Sequence, residues 1–238
     1  MHALAIGYAP AYLTEHADGH RQDWPRIPLP AEASVLSASA ALGRQVAALL
    51  DTESLVPGVT SGALRPELRH VASIASATGK QLDPDVGDLA VTAGWGHASR
   101  GSVTMPGRGR LVERSYTPEE ESAIRQGAAA LGLDPAEAFA RLGETTVDVF
   151  LNDDALWRNV PTNVWRFTIG GYQVIKKWLS YREADLLGRP LTDAEAKEVR
   201  DMVRRLAALR LLEPALDENY RRVSAETYAW PPAATNAE

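Results

Sequence analysis

Two adjacent glycines, Gly170-Gly171, separate a run of aromatic and β-branched residues (Trp165-Arg166-Phe167-Thr168-Ile169) from a run with helical spacing (Tyr172 to Arg182). No other stretch limits the fold so narrowly. Glycine reaches backbone conformations that other residues avoid. The segment therefore reads as a short strand over 164–169, a tight strand-to-helix turn, and a helix over 172–182. Tyr172, Ile175, Trp178 and Leu179 recur at spacings of three and four, which puts them on one helical face. That favours a core role for most of these rings, and for Trp157 and Trp165. Lys176, Lys177 and Arg182 fall on other faces. Cations beside flat rings are what a surface needs to hold phosphates and pack against sugars or bases. The amides that open the helix offer a further seat for a phosphate.

Charge sharpens this reading. The 238 residues carry a net charge of -6, so the whole surface is not a nucleic-acid binder. Between Arg158 and Arg189, however, six Lys/Arg stand against two acids, a local balance of +4. Between Arg100 and Arg114, four Arg stand against one acid, a balance of +3. Arg158, Arg166, Lys176, Lys177 and Arg182 are candidates for phosphate pairing or guanine readout. Trp157 and Tyr181 are candidates for packing on sugars, and Asn159 and Asn163 have side chains suited to adenine edges. Arg108 and Arg110 sit in Met105-Pro106-Gly107-Arg108-Gly109-Arg110, which reads as a glycine-flexed hairpin tip able to enter a groove, or equally as a solvated turn.

The rest of the chain fills in an α+β fold. A short helix is expected over 9–17. Trp24-Pro25-Arg26-Ile27-Pro28-Leu29-Pro30 is an extended connector, since its prolines forbid a helix, with Trp24, Ile27 and Leu29 as anchors. A helix follows over 32–50, with Val35, Leu36, Leu42, Val46, Leu49 and Leu50 as its apolar stripe. Turns at Pro57-Gly58 and Thr60-Ser61-Gly62 lead to a strand within 70–75. Residues 88–115 read as a β-meander with strands over 89–93, 102–105 and 110–114, turning at Gly94-Trp95-Gly96. Thr117-Pro118-Glu119-Glu120 starts a helix that stops at Gly132, and Asp134-Pro135 starts another. A strand over 145–151 follows. Thr192 and Glu195 form a capping box for the last long helix, whose stripe is Val199, Met202, Val203, Leu206, Leu209, Leu211 and Leu212. The expected domains are a helical portion over 1–52, a mixed domain with antiparallel strands and C-terminal helices over 53–230, and a disordered tail over 231–238.

Several kinds of chemistry lack their residues. With no cysteine there is no disulfide or thiolate metal site. No apolar run approaches the roughly 20 residues that span a bilayer, and the N-terminus lacks the pattern of a signal peptide. Neither a phosphate loop nor a nucleophile motif is present. Gly94-Trp95-Gly96 lies in an expected hairpin, not between a strand and a helix as a nucleotide loop requires. His16 and His20, at i and i+4, read as solvated helix-end residues rather than zinc ligands. Asp83/Asp85 and Asp153-Asp154 read as turn residues. No cofactor is expected.

The stretch from Trp165 to Arg182 closely resembles the C-terminal target-recognising region of type ISP restriction-modification enzymes and related N6-adenine-specific DNA methyltransferases. Its Gly-Gly-Tyr-Gln-Val-Ile-Lys-Lys-Trp-Leu core is the specific part. Supporting stretches follow in the same order: Tyr12-Leu13 with residues 21–30, then 89–96, 104–109, 157–161, 187–192 and 212–217. The resemblance implies a module that reads a DNA target for an adenine methyltransferase domain, in cis or in trans. It implies cytoplasmic action in phage defence, with double-stranded DNA and the methyltransferase domain as partners and no membrane. The S-adenosylmethionine loop and the Asn-Pro-Pro-aromatic loop of such a methyltransferase have no counterpart here. The chain is therefore expected to be a detached C-terminal piece without catalysis of its own. The DNA-contact residues rest on charge and exposure, not on the resemblance. A second reading makes the chain a protein-interaction module, docking a partner through the 24–30 segment and the first helices. A third, an independent enzyme, lacks a catalytic constellation.

Overall fold

The structure, a computed structural model, describes residues 1–18, 23–99 and 104–230. The chain forms two compact units. One comprises Met1–Ser54 and the chain from Leu212 on; the other is Leu55–Leu211. The class is α+β, as expected.

The first unit is helical. Two short helices, α1 (His2–Gly7) and α2 (Pro10–Glu15), replace the single helix expected over 9–17. Pro10 cannot continue an upstream helix but suits the first position of a new one. Helix α3 (Ala33–Leu50) is where the pattern placed it, yet its buried line is Ser39, Gly43, Val46 and Leu49, with Val35 and Leu42 only half-buried. The reason is close approach. A Cβ on Gly43 would lie 1.8 Å from the Met1 carbonyl oxygen, so only small residues fit beneath α1. His2 ties this seam together, pairing with Ser39 Oγ at 2.7 Å and the Pro28 carbonyl at 2.9 Å. Trp24 is 86 % exposed and anchors nothing. The proline segment is held by main chain instead: Ala31 N–H donates to the Glu226 carbonyl and Tyr228 N–H to that of Leu29. Helix α3 is long and apolar enough to cross a membrane by length and composition, contrary to the expectation from the sequence. It also carries Arg44 and Gln45, and its small-residue line is occupied by packing.

The second unit is built on a four-stranded antiparallel sheet in the order β1 (Ser73–Ser76), β6 (Ala155–Pro161), β5 (Thr146–Phe150), β4 (Leu111–Arg114). The central strand β6 has every residue buried except Arg158. Trp157 on β6 donates its indole N–H to the Ala196 carbonyl of α9 (Asp193–Ala225), the long helix that follows the single turn α8 (Ala184–Leu187). Helices α4 (Pro118–Leu131) and α5 (Pro135–Leu142) start at Thr117 and Asp134 as expected, and the Thr117–Glu120 capping box is complete. The Thr192–Glu195 box also forms, and Arg189 adds a bidentate pair to Glu195 at 2.7 and 2.9 Å.

Residues 88–115 do not form a meander. Within the described residues, β2 (Gly96–Ala98) and β3 (Thr104–Pro106) make their own two-stranded ribbon, and β4 pairs with β5. Segment 89–93 is no strand. Leu89 and Val91 are buried, but the Val91 carbonyl accepts from Ala184 N–H and the amides of Thr92 and Ala93 reach the Leu151 carbonyl. The hairpin expected at Gly94-Trp95-Gly96 is a buried junction. Glu183 Oε1 accepts the amide protons of both Gly94 and Trp95. Trp95 is fully buried, donates its indole N–H to the Phe150 carbonyl at 2.7 Å, and meets Trp165 edge-on with centroids 5.4 Å apart. The surrounding glycines are there for closeness, not flexibility. A Cβ on Gly109 would sit 2.1 Å from the Trp95 ring, on Gly107 2.0 Å from the Gly94 oxygen, and on Gly96 1.9 Å from the Ser180 oxygen.

The paired glycines also behave differently from expectation. Gly170 and Gly171 have φ of 58° and 82°. Two successive positive values close a hairpin of the type I′ kind. They join β7 (Thr168–Ile169) to β8 (Tyr172–Gln173). Residues 162–165 form a helical turn, α6 (Thr162–Trp165), which takes the first two residues of the strand expected over 164–169 and leaves only its last two in β7. Helix α7 (Val174–Ser180) begins only after the hairpin and buries Ile175, Trp178 and Leu179. Its first amide, on Val174, donates to the Phe167 carbonyl and offers no phosphate seat. Trp178 donates to Glu198 Oε1 and meets Trp157 edge-on. Tyr172, expected in the core, is 62 % exposed.

Two stability outcomes follow from the junction. Gly109→Ala combines a left-handed backbone (φ 70°) with a collision against Trp95, whereas Gly132→Ala has the same φ and open space. The second change costs roughly 1 kcal/mol and the first at least roughly 1 kcal/mol more; equal losses in urea unfolding would refute the packing role. Burial raises the Glu183 carboxyl above its ordinary 4.5, while the Trp95 and Gly94 amides pull it back. The folded state thus holds this proton more tightly than the unfolded one. The stabilisation is complete below pH 4.5 and is lost as pH rises through the higher folded value. Glu183→Gln keeps an acceptor for both amides and removes that slope, and Glu183→Ala loses roughly 2–3 kcal/mol at low pH, a deficit that shrinks as pH rises through the folded value. Parallel stability–pH curves for wild type and Glu183→Gln would contradict this.

Candidate nucleic-acid interface

Helix α7 and its two ends gather most of the sequence candidates. Lys177 Nζ lies 4.8 Å from the centroid of the Tyr172 ring and 4.6 Å from that of Tyr181, so the ammonium is held between two exposed rings. Each such contact contributes about 0.5–1 kcal/mol at an exposed site, enough to orient the lysine but not to neutralise it. The Arg182 guanidinium covers the buried Trp178 ring at 3.8 Å, and its Nη1 makes a long 3.5 Å contact to the Trp178 carbonyl. Lys176 has no ion pair among the described residues. Arg166, exposed at the end of α6, is likewise without an acidic partner among them. It precedes Phe167, whose carbonyl takes the first amide of α7.

Arg108 joins this group through the buried junction. Gly107 N–H donates to the Trp95 carbonyl and Gly109 N–H to that of Gly94, so both neighbours of Arg108 are pinned. Glu183, which holds Gly94 and Trp95, directly follows Arg182, and Gly96 lies against Ser180 at the end of α7. The arginine loop and the lysine helix therefore share one frame. Arg108 itself is exposed and unpaired among the described residues. The tip is thus a rigid presentation of one arginine, not a flexible one of two. Arg110 is engaged, with Asp153 Oδ1 at 3.2 Å and its guanidinium 4.1 Å from the Phe150 centroid.

Other candidates stand apart. Arg158 is exposed on β6, but its neighbour Trp157 faces α9 and Trp178, and adjacent strand residues point to opposite faces. The sheet thus separates Arg158 from α7. Asn159 is only 3 % exposed, with φ of 61°; it donates from Nδ2 to the His70 carbonyl and from its amide to Asp148 Oδ1. It shapes the strand end and has no free edge for a base. Asn163 donates to the Ala140 carbonyl, and Trp157 is fully buried. Asp83 accepts from Asp85 N–H as a local turn residue, whereas Asp154 accepts from the distant Ser76 and Thr78 and so tethers the end of β1. His16 contacts Tyr220 Oη at 3.1 Å. His20, Arg100, Ser102, Val103 and the tail over 231–238 lie outside the described residues. No group of acids and histidines among the described residues is arranged to hold a metal ion.

Sequence reasoning missed two elements. Glu183 looked like one of the acids diluting a basic island, and nothing in its spacing marks it as the frame's acceptor. Tyr172 was readable, since two glycines between β-branched and aromatic residues are the signature of a two-residue hairpin loop.

The family described as the type ISP C-terminal specificity domain matches residues 3–209. No curated protein and no solved structure matches. The matched span contains both basic islands and the whole Glu183–Trp95 junction. The chain belongs to the type ISP C-terminal specificity domain family, the target-recognition part of that type of restriction-modification enzyme.

Proposed function

We propose that the second unit binds double-stranded DNA through the surface formed by α7, the Arg108 loop and Arg166. In this reading it supplies sequence specificity to an adenine methyltransferase domain, in cis or in trans, and does no chemistry itself. The observation that carries the reading is the pairing pattern of the cations. Arg110, Arg114 and Arg189 are closed by Asp153, Glu120 with Asp148, and Glu195. Arg108, Arg166 and Lys176 have no acidic partner among the described residues, and Lys177 and Arg182 rest on rings. The nearby acid Glu183 is turned inward onto backbone amides. A polyanion thus meets cations whose counter-charges are not already in place. Lys176, Lys177 and Arg182 serve as phosphate contacts, and Arg108, on its stiff loop, is suited to a bidentate contact with guanine. In the same reading the module acts in the cytoplasm, with the DNA it reads, and in defence against phage DNA.

Trp24 and Trp230, 86 % and 74 % exposed in the first unit, favour a second role beside this one: that unit docks the methyltransferase domain.

In a gel-shift titration over salt concentration, Lys176→Ala, Lys177→Ala and Arg182→Ala each weaken duplex binding across sequences. Each lowers the salt slope by about one. Arg108→Ala reduces discrimination between targets by about 1–3 kcal/mol, while Arg158→Ala changes neither quantity. Unaltered binding in the three α7 variants would remove the basis of the assignment.

A further inference from the structure

The cations do not account for the apolar tip beside them. Ile169 and Tyr172 face each other across the β7–β8 pair, immediately before and after Gly170-Gly171. They are 51 % and 62 % exposed, and apolar area left in water is unfavourable in proportion to its extent. The turn between them carries no side chain, and a Cβ placed on either glycine would meet nothing within 4 Å. The tip is therefore thin and open. Its base is fixed: Gln173 Nε2 donates to the Trp165 carbonyl at 3.2 Å, Val174 N–H donates to that of Phe167, and Trp165 is buried against Trp95. Cations flank it on both sides in sequence, with Arg166 before it and Lys176 and Lys177 after. Lys177 touches the Tyr172 ring itself.

We infer that this hairpin is a wedge. On duplex DNA, Ile169 and Tyr172 enter between two adjacent base pairs, unstack them and bend the helix, while the flanking cations hold the phosphates on either side. A rigid, side-chain-free turn bearing an aliphatic and an aromatic residue has the shape and polarity that opening a base step requires. Unstacking is easiest at pyrimidine–purine steps such as TA or CA/TG, so the recognised sequence contains one at the wedge position. The inference rests on the DNA-binding reading and adds a deformed step to it.

The test uses the full chain and duplexes it enriches from a randomised pool, with 2-aminopurine placed at successive positions. Binding raises the fluorescence at one step, and that step is pyrimidine–purine. The Ile169→Ser/Tyr172→Ser double variant loses the rise and binds the intact duplex about tenfold or more weakly. It keeps the wild-type salt slope, and it regains wild-type affinity on a duplex whose step is already opened by an abasic site. Both side chains are exposed, so unchanged melting of the variant confirms that it folds. Wild-type binding without a rise at any position, or a variant that keeps the rise, overturns the wedge. If Lys176→Ala/Lys177→Ala weakens binding while the hairpin variant does not, the wedge alone fails. If neither pair of changes alters duplex affinity, or no sequence is enriched, the DNA-binding reading fails and takes the wedge with it.

Discussion

One buried carboxylate organises the second unit. Glu183 Oε1 receives the amides of Gly94 and Trp95, and this joins a segment near the middle of the chain to one about ninety residues on. Without an acceptor there, two buried N–H groups would have lost water and gained nothing, at a cost of roughly 1–3 kcal/mol each. With it, Trp95 can be fully buried, its ring becomes the floor under Gly109, and its indole proton reaches the Phe150 carbonyl of the central sheet. The arginine loop and the lysine helix are rigid relative to each other because both are attached at this junction.

The same junction bears on how an acidic chain presents a basic surface. Counting charges along the sequence gives the islands but overstates them, because some cations are already paired. Arg114 is held by Glu120 and Asp148, which together push its guanidinium well above the usual arginine range. Arg189 belongs to the cap of the last helix, where it and Thr192 hold the Glu195 carboxyl down at about 2. Removing these leaves a smaller set with the same sign. The negative net charge is carried elsewhere, in part at the start of α4, where Glu119, Glu120 and Glu121 complement the exposed amides.

What the sequence revealed and what it hid divide along physical lines. Helix starts were legible because caps are local: Thr117, Asp134 and Thr192 each bond an amide two or three residues on. The strand over 145–151 was legible from alternation. The central strand β6 was not, because it is buried on nearly every position and carries Arg158 and a left-handed Asn159 that break the pattern. The meander failed because strand partners are chosen by distant residues; β4 found β5 rather than β3. The α1–α3 seam escaped because apolar periodicity points to large residues, whereas close backbone approach selects Ser39 and Gly43. At the candidate site, residue types and their clustering were readable. Which cation stays uncommitted was not, since that depends on carboxylates far away in sequence, such as Asp153 for Arg110.

Gly107 and Gly109 are locked by what lies under them, while the exposed side chain between them makes no hydrogen bond, ion pair or ring contact among the described residues. The backbone at position 108 is therefore indifferent to the side chain it carries. Exchange of that one residue would alter what is displayed without disturbing how it is displayed. A loop of this build is a fixed mount with a replaceable head, so new preferences can arise there by single substitutions while the scaffold stays as it is.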